Sequence, residues 1–367
     1  MLVEMGHDVH VITLSTVDQA EFVHEGIKVH RVPFGSLWLQ MNRLTRYRLT
    51  TTMHLLAAST EIYRKLKQLH QQQPLQLVQF PNCSYCGLVS MMFLRVPHVL
   101  RASWYEPAWN TSDRVRRTFD SSIVAFLEQF QFRLSPHVYA PSIRLQKILI
   151  ERAGLKSVKQ IPSPFFLECS DWDYSICNQS TAGKKYLLFF GRFEVRKGFH
   201  ALAQALPGFL RQHPEASVVL VGRDKESAIA PSMAEYARRL CGSLAARLIV
   251  LDQIPHRQLY PIIAGAHLVA LPSLIDNMPN ACLEAMSLGK VVVGTFEGSF
   301  DELIEDGKDG FLVAADDVGA LTAKLSEAWT SPNLAAIGRA ARGRVNDFLP
   351  EKTTESLLRY YRQILQV

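Results

Sequence analysis

Short runs rich in valine, isoleucine and leucine alternate with helix-length amphipathic stretches along the whole of this 367-residue chain. In the first half the runs are DVHVITL (8–14), KVHRVPF (28–34), LQLVQF (75–80), PHVLRAS (97–103) and HVYAPS (137–142). Helical patterns such as 43–70 and 112–134 lie between them. The second half repeats the scheme with KYLLFFG (185–191), SVVLVG (217–222), ARLIVLD (246–252), HLVALPS (267–273) and KVVVGT (290–295). Apolar strands separated by helices require parallel sheets covered on both faces. One hydrophobic core does not normally serve a chain this long, so two α/β domains are expected. The polar, proline-bearing stretch 162–184 reads as their boundary, with 166–184 as the linker proper. The terminal segment EKTTESLLRYYRQILQV (351–367) reads as a helix with Leu357, Leu358, Tyr361 and Leu365 on one stripe.

Composition excludes several classes. With 48% hydrophobic and 20% charged residues, and no short repeat or low-complexity tract, the chain reads as a soluble globular protein. No G-x-G-x-x-G follows a strand, which argues against a dinucleotide-dependent oxidoreductase. The net charge of +6 is uneven: residues 1–165 carry 19 Lys+Arg against 11 Asp+Glu, whereas 166–367 carry 21 against 23. A basic front half suits an anionic membrane surface or an acidic substrate, or is a chance imbalance on a solvated face. The excess is diffuse and carries no nucleic-acid recognition motif. In DRVRRTFDSSIVAFLEQFQFRL (113–134), Arg114, Arg116 and Arg117 precede Phe119, Phe126, Phe130 and Phe132. This pattern reads either as a membrane-facing helix or as a core stripe. The six cysteines, Cys83 and Cys86 among them, read as buried thiols in a reducing cytosol, and no signal peptide is recognisable.

Two constellations carry chemistry. In LLFFGRFEVRKGFHALAQAL (187–206), Arg192 and Lys197 lie between Gly191 and Gly198, in a loop leading from a strand into a helix. Ligands of parallel sheets bind at such loops, glycine allows close backbone approach, and helix amides add positive potential. The loop reads as a diphosphate site, or as a surface loop whose cations pair with carboxylates such as Glu194. In LPSLIDNMPNACLEAMSLGKVVVGTFEG (271–298), Asp276 and Asn277 occupy a loop, Pro279 opens a helix, and Glu284 lies within it. Those acids read as acceptors for sugar hydroxyls, or as a loop cap and a dipole partner.

Taken in order, these motifs resemble the retaining nucleotide-sugar glycosyltransferases of family 4. That family has the GT-B architecture, two Rossmann-like domains facing a central cleft. Its GR-x4-K-G signature is matched by Gly191, Arg192, Lys197 and Gly198, and its E-x7-E signature by Asp276 and Glu284. GHDVHVITLS (6–15), VLVGRD (219–224), the LPS…LEAM…G run through Gly289 and ELIEDGKDGFLV (302–313) are also similar. The resemblance spans nearly the whole chain and is strongest in 185–345. It implies an acceptor-side domain over 1–165, joined by the helix 350–367, and a donor domain over 185–349. It further implies that Arg192 and Lys197 neutralise the departing diphosphate, and that Glu284 holds the ribose. Asp276, with the backbone at Asn277, Met278, Pro279 and Asn280, would orient the transferred sugar. Attack on the front face needs no protein nucleophile, cofactor or metal. The donor is expected to be UDP- or GDP-linked and the acceptor a glycan or a lipid-linked glycan.

The pattern also departs from the family. Members begin with a central strand, a glycine-bearing loop and a helix before the GHDVHVIT strand, so roughly 25–30 residues are expected to be missing. Ser103 occupies the acceptor-side position where the family often has a histidine, while His98 lies within a strand. Ser163-Pro164 replaces the usual PNG, and Asp276 is one methylene shorter than the common glutamate. An alternative expectation is therefore a truncated or degenerate homologue that binds nucleotide-sugar or a partner without turnover.

Overall fold

The computed structural model describes residues 1–15, 19–105, 107 and 118–366. Two compact units emerge. One holds the described residues up to Pro164 together with those from Pro350 onward, and the other is Phe165–Leu349. Arg114, Arg116 and Arg117 lie outside the described residues.

The first unit contains two sheets. Strands β1 (His10–Ser15), β2 (Ala20–His24) and β3 (Ile27–Pro33) form a sheet of order β1-β3-β2. β1 and β3 are parallel, but β2 is antiparallel to β3, which departs from the expected all-parallel scheme. Glu25 and Gly26 both take positive φ (49° and 79°) between them, the signature of a two-residue hairpin turn. β4 (Val78–Pro81), β5 (His98–Arg101), β6 (Val138–Ala140) and β7 (Lys159–Gln160) form a parallel sheet in that order. The expected helix over 43–70 is two helices, Ser36–Leu44 and Thr50–Gln72, broken where Arg46 and Tyr47 turn left-handed. The terminal helix Pro350–Leu365 lays Leu357, Tyr360, Tyr361 and Ile364 over Val99, Tyr139 and Ile161. Burial raises the thiols of Cys83 and Cys86, the latter up to about 12, so neither is a ready nucleophile.

The second unit is built on six parallel strands: β8 (Lys185–Phe190), β9 (Ala216–Val221), β10 (Leu248–Leu251), β11 (Leu268–Ala270), β12 (Val292–Thr295) and β13 (Phe311–Val313). β8 alternates between two cores. Leu187 and Phe189 pack with Phe199, Leu206, Phe209 and Trp329, while Tyr186, Leu188 and Phe190 pack with Tyr260, Ile263, Leu283 and Met286. Covering both faces requires the continuous apolar runs seen in the sequence. The order β10-β9-β8-β11-β12-β13 reverses direction between β8 and β11. Connections leave that point toward opposite edges of the sheet and open a crevice at its carboxyl end.

Residues 166–184, expected as a linker, are instead packed into the second unit. Pro261 inside the helix His256–Gly265 has no N–H for the Arg257 carbonyl, and the Asp173 N–H takes that carbonyl at 2.8 Å. The Asp173 carboxylate accepts Gln258 Nε2 at 2.8 Å and the Ser175 N–H at 2.9 Å, at the start of the helix Ser175–Thr181.

Gly198 ties the two crevice loops together. Its φ is 68°, and a Cβ there would fall 1.7 Å from the Pro272 carbonyl oxygen. Gly183 has nearly the same φ, 69°, with nothing within 4 Å of its missing Cβ. Gly183→Ala is expected to cost about 1 kcal/mol, from backbone strain alone. Gly198→Ala is expected to cost about 3 kcal/mol or more, because the contact with Pro272 must also open. Denaturant midpoints of the paired variants check this, and equal losses would mean that the loop moves off Pro272 freely.

Candidate functional site

The two motifs begin in the loops after β8 and β11, the strands that flank the reversal point of the sheet. β8 ends at Phe190, and Gly191, with φ 137°, starts the loop, its N–H bonded to the Val221 carbonyl at 2.9 Å. Gly222 must also lack a side chain, since its Cβ would meet the Gly191 oxygen at 1.9 Å. Arg192 is 48% exposed and sits 3.1 Å from Glu194 Oε1. Glu194 also accepts Arg196 Nη2 at 2.7 Å. Arg192 does pair with Glu194, as a plain surface loop would have it, but that carboxylate is shared with the buried Arg196.

Lys197 donates to Asp276 Oδ2, joining the two motifs through their side chains. Asp276 Oδ1 accepts the Asn277 N–H at 3.0 Å, and the Asp276 carbonyl accepts the Ser299 hydroxyl at 2.9 Å. The Leu274 N–H donates to the Arg196 carbonyl at 2.8 Å. Met278 and the buried Pro279 lead into the helix Asn280–Ser287, whose amino end has no side-chain cap. The site therefore sets three cations against two carboxylates beside the positive end of a helix, an arrangement that receives an anion.

Glu284 belongs to a second cluster. Its side chain is 12% exposed, and burial pushes its carboxyl up to about 7, with Glu168 adding to the rise and His256 opposing it. His256 Nε2 is 3.6 Å from Glu284 Oε1, and His256 Nδ1 is 2.5 Å from Glu168 Oε2. Neither His256 nor Glu168 stood out in the sequence. The only local signal was their neighbourhood: His256 follows β10 by a short loop, as Arg192 follows β8.

A cavity of about 840 Å³ opens at the carboxyl ends of β9 and β10, beside Phe193. It is lined by Gly222, Arg223, Asp224 and Arg238 on one side and by Asp252, Gln253, Ile254 and Pro255 on another. The volume suits a small organic ligand. The Asp224 carboxylate is already engaged, accepting the Ser232 hydroxyl at 2.6 Å and the Met233 N–H at 2.8 Å.

Ser103 lies in the first unit, just beyond β5, where its N–H donates to Asn82 Oδ1 at 2.7 Å. Asn82 is buried and also donates to the Trp104 carbonyl and to buried Glu128. His98 remains within β5, its Nδ1 3.2 Å from the Val96 carbonyl.

The two α/β units match solved structures of the GT-B fold class. Sucrose-phosphate synthase from Thermosynechococcus elongatus superposes with a TM-score of 0.78 at 18% identity, covering 100% of this chain and 91% of that one. An Anabaena protein solved in complex with UDP and glucose gives 0.68 at 19% identity, covering 91% and 86%. Residues 184–331 match the family model described as glycosyl transferases group 1. Glycogen synthase of Mycobacterium tuberculosis is 28% identical over 184 residues, 50% of this chain and 43% of that protein. Phosphatidyl-myo-inositol mannosyltransferase of Mycolicibacterium smegmatis is 30% identical over 141 residues, 38% of this chain and 34% of that protein. The chain thus aligns with less than half the length of either relative.

The raised carboxyl of Glu284 has a consequence for stability. Between its ordinary value of 4.5 and about 7, the folded chain retains a proton that the unfolded chain has lost. Stability therefore falls as pH rises through this window, and the deficit is fully present above about 7. Glu284→Gln is expected to gain roughly 3 kcal/mol over the parent at pH 8 and little near pH 4.5. Denaturation at the two pH values tests the sign.

Proposed function

We propose that this chain transfers a hexosyl group, with retention of configuration, from a nucleotide-diphosphate sugar to a glycan or lipid-linked acceptor. The observation that carries this reading is the Lys197–Asp276 pair at the reversal point of the sheet. It sets a diphosphate-binding cation and a sugar-binding acid side by side at the amino end of a helix. Arg192 and Lys197 take up the charge that develops on the leaving diphosphate, the main electrostatic demand of the transition state. Asp276 and the backbone of Asn277–Asn280 orient the sugar. Glu284 accepts the ribose hydroxyls, and the cavity over Gln253 and Ile254 receives the base. The acceptor attacks the face from which the diphosphate departs, and a leaving phosphate oxygen takes its proton. UDP and GDP are the first donors to test.

The first unit supplies a candidate membrane contact. Phe119 is 76% exposed and Leu44 85%. Asp120 accepts the Thr51 and Thr52 N–H groups at 2.9 and 3.1 Å, which places Phe119 beside the turn carrying Arg46, Tyr47 and Arg48. Apolar side chains beside arginines suit an anionic bilayer surface. No described helix is long and apolar enough to cross a membrane.

Calorimetric titration with UDP, GDP and ADP tests the donor site. One nucleotide should bind, and Arg192→Ala or Lys197→Ala should weaken it by about 2 kcal/mol, roughly thirtyfold, while abolishing turnover. Full activity in either variant would remove the diphosphate assignment. Binding without turnover on any sugar donor would favour the non-catalytic alternative. For the membrane contact, the protein should sediment with vesicles containing phosphatidylglycerol but not with pure phosphatidylcholine. The double variant Leu44→Ser, Phe119→Ser should stay in the supernatant.

A further inference from the structure

His256 is held on three sides by side chains. It is the first residue of the helix His256–Gly265, at the end where a helix favours anions, so its seat depends on its partners. Its ring stacks on Tyr260 with centroids 5.4 Å apart and an angle of 27°. The buried Tyr260 hydroxyl accepts the Glu168 N–H at 3.1 Å, and the Glu168 carboxylate reaches His256 Nδ1 at 2.5 Å. The other ring nitrogen faces Glu284 at 3.6 Å. At 3.6 Å the contact with Glu284 is electrostatic rather than a hydrogen bond, and the imidazole stands between two carboxylates.

We propose that His256 is a positioning residue for nucleotide recognition: braced by Glu168 and Tyr260, it orients the Glu284 carboxylate as acceptor for the two ribose hydroxyls. This rests on the reading of Glu284 as the ribose-binding acid. A diol donates two hydrogen bonds and needs a carboxylate with both oxygens available. Glu284 is buried enough to favour its protonated form, and His256 is the neighbour that opposes this. Removing the imidazole would leave the like charge of Glu168 acting on Glu284 without the neighbour that opposes it. The titratable groups of the cluster are Glu284, His256 and Glu168, with Tyr260 and Cys169 behind them.

The test compares whichever of UDP, GDP and ADP binds tightest with its 2′,3′-dideoxy counterpart, by calorimetry, on the full chain. The parent should prefer the ribonucleotide. His256→Ala should weaken the ribonucleotide about tenfold and leave the dideoxy form unchanged, erasing the preference. Glu168→Gln should do the same to a smaller degree, and the double variant should be no worse than His256→Ala alone. The Glu168 side chain is 62% exposed, so this substitution carries the test should the alanine variant fail to fold. A parent that binds both nucleotides equally, or neither, overturns the ribose reading and this inference with it. A parent that discriminates while His256→Ala keeps the full preference, or loses both ligands equally, overturns this inference alone.

Discussion

Where Gly198 meets the Pro272 carbonyl, a side chain of any size would separate the loop after β8 from the loop after β11. The site depends on that contact. It carries Lys197 to Asp276 and lets the Arg196 carbonyl accept the Leu274 N–H. The second loop is pinned from behind as well, by the Ser299 hydroxyl on the Asp276 carbonyl and the Thr295 hydroxyl on the Ser273 carbonyl. Backbone contacts of this kind lose little conformational entropy relative to long side chains. The long side chains of Arg192 and Lys197 therefore project from a base that is already rigid.

Charge is distributed over that base with one sign in excess. Glu194 is divided between Arg192 and Arg196, and Asp276 is engaged by Lys197. An incoming phosphate would share these cations and repel the carboxylates, so local rearrangement is part of binding. Glu284 is the counterpart: a buried acid that stability alone would not favour, kept beside a histidine and a second acid. Groups whose ionisation is displaced by burial and by a specific partner concentrate at functional sites.

Much of the second unit was legible because its signals are local. Apolar runs such as KYLLFFG and SVVLVG became β8 and β9 within a residue at each end, since strands buried on both faces need uninterrupted apolar sequence. Arg192, Lys197, Asp276 and Glu284 are candidates named from spacing within two short segments. The first unit read less clearly. β2, with its exposed Phe22 and Val23, has little burial pattern to mark it, and its turn depends on Glu25 adopting positive φ beside Gly26. Residues 166–184 looked like a linker because their partner, the carbonyl freed by Pro261, lies far along the chain.

The sequence alone determined that the chain is an alternating α/β protein, that its second half carries two glycine-flanked motifs, and which cations and acids those motifs hold. Those properties follow from residue type at short range. Tertiary structure decided the order of the strands, and so the reversal point between β8 and β11 that brings the loops of the two motifs together. It also decided that Lys197 faces Asp276 and that His256 stands between Glu168 and Glu284. Each of these pairs joins residues from different elements, and their meeting depends on sheet topology and loop closure, which local periodicity does not encode.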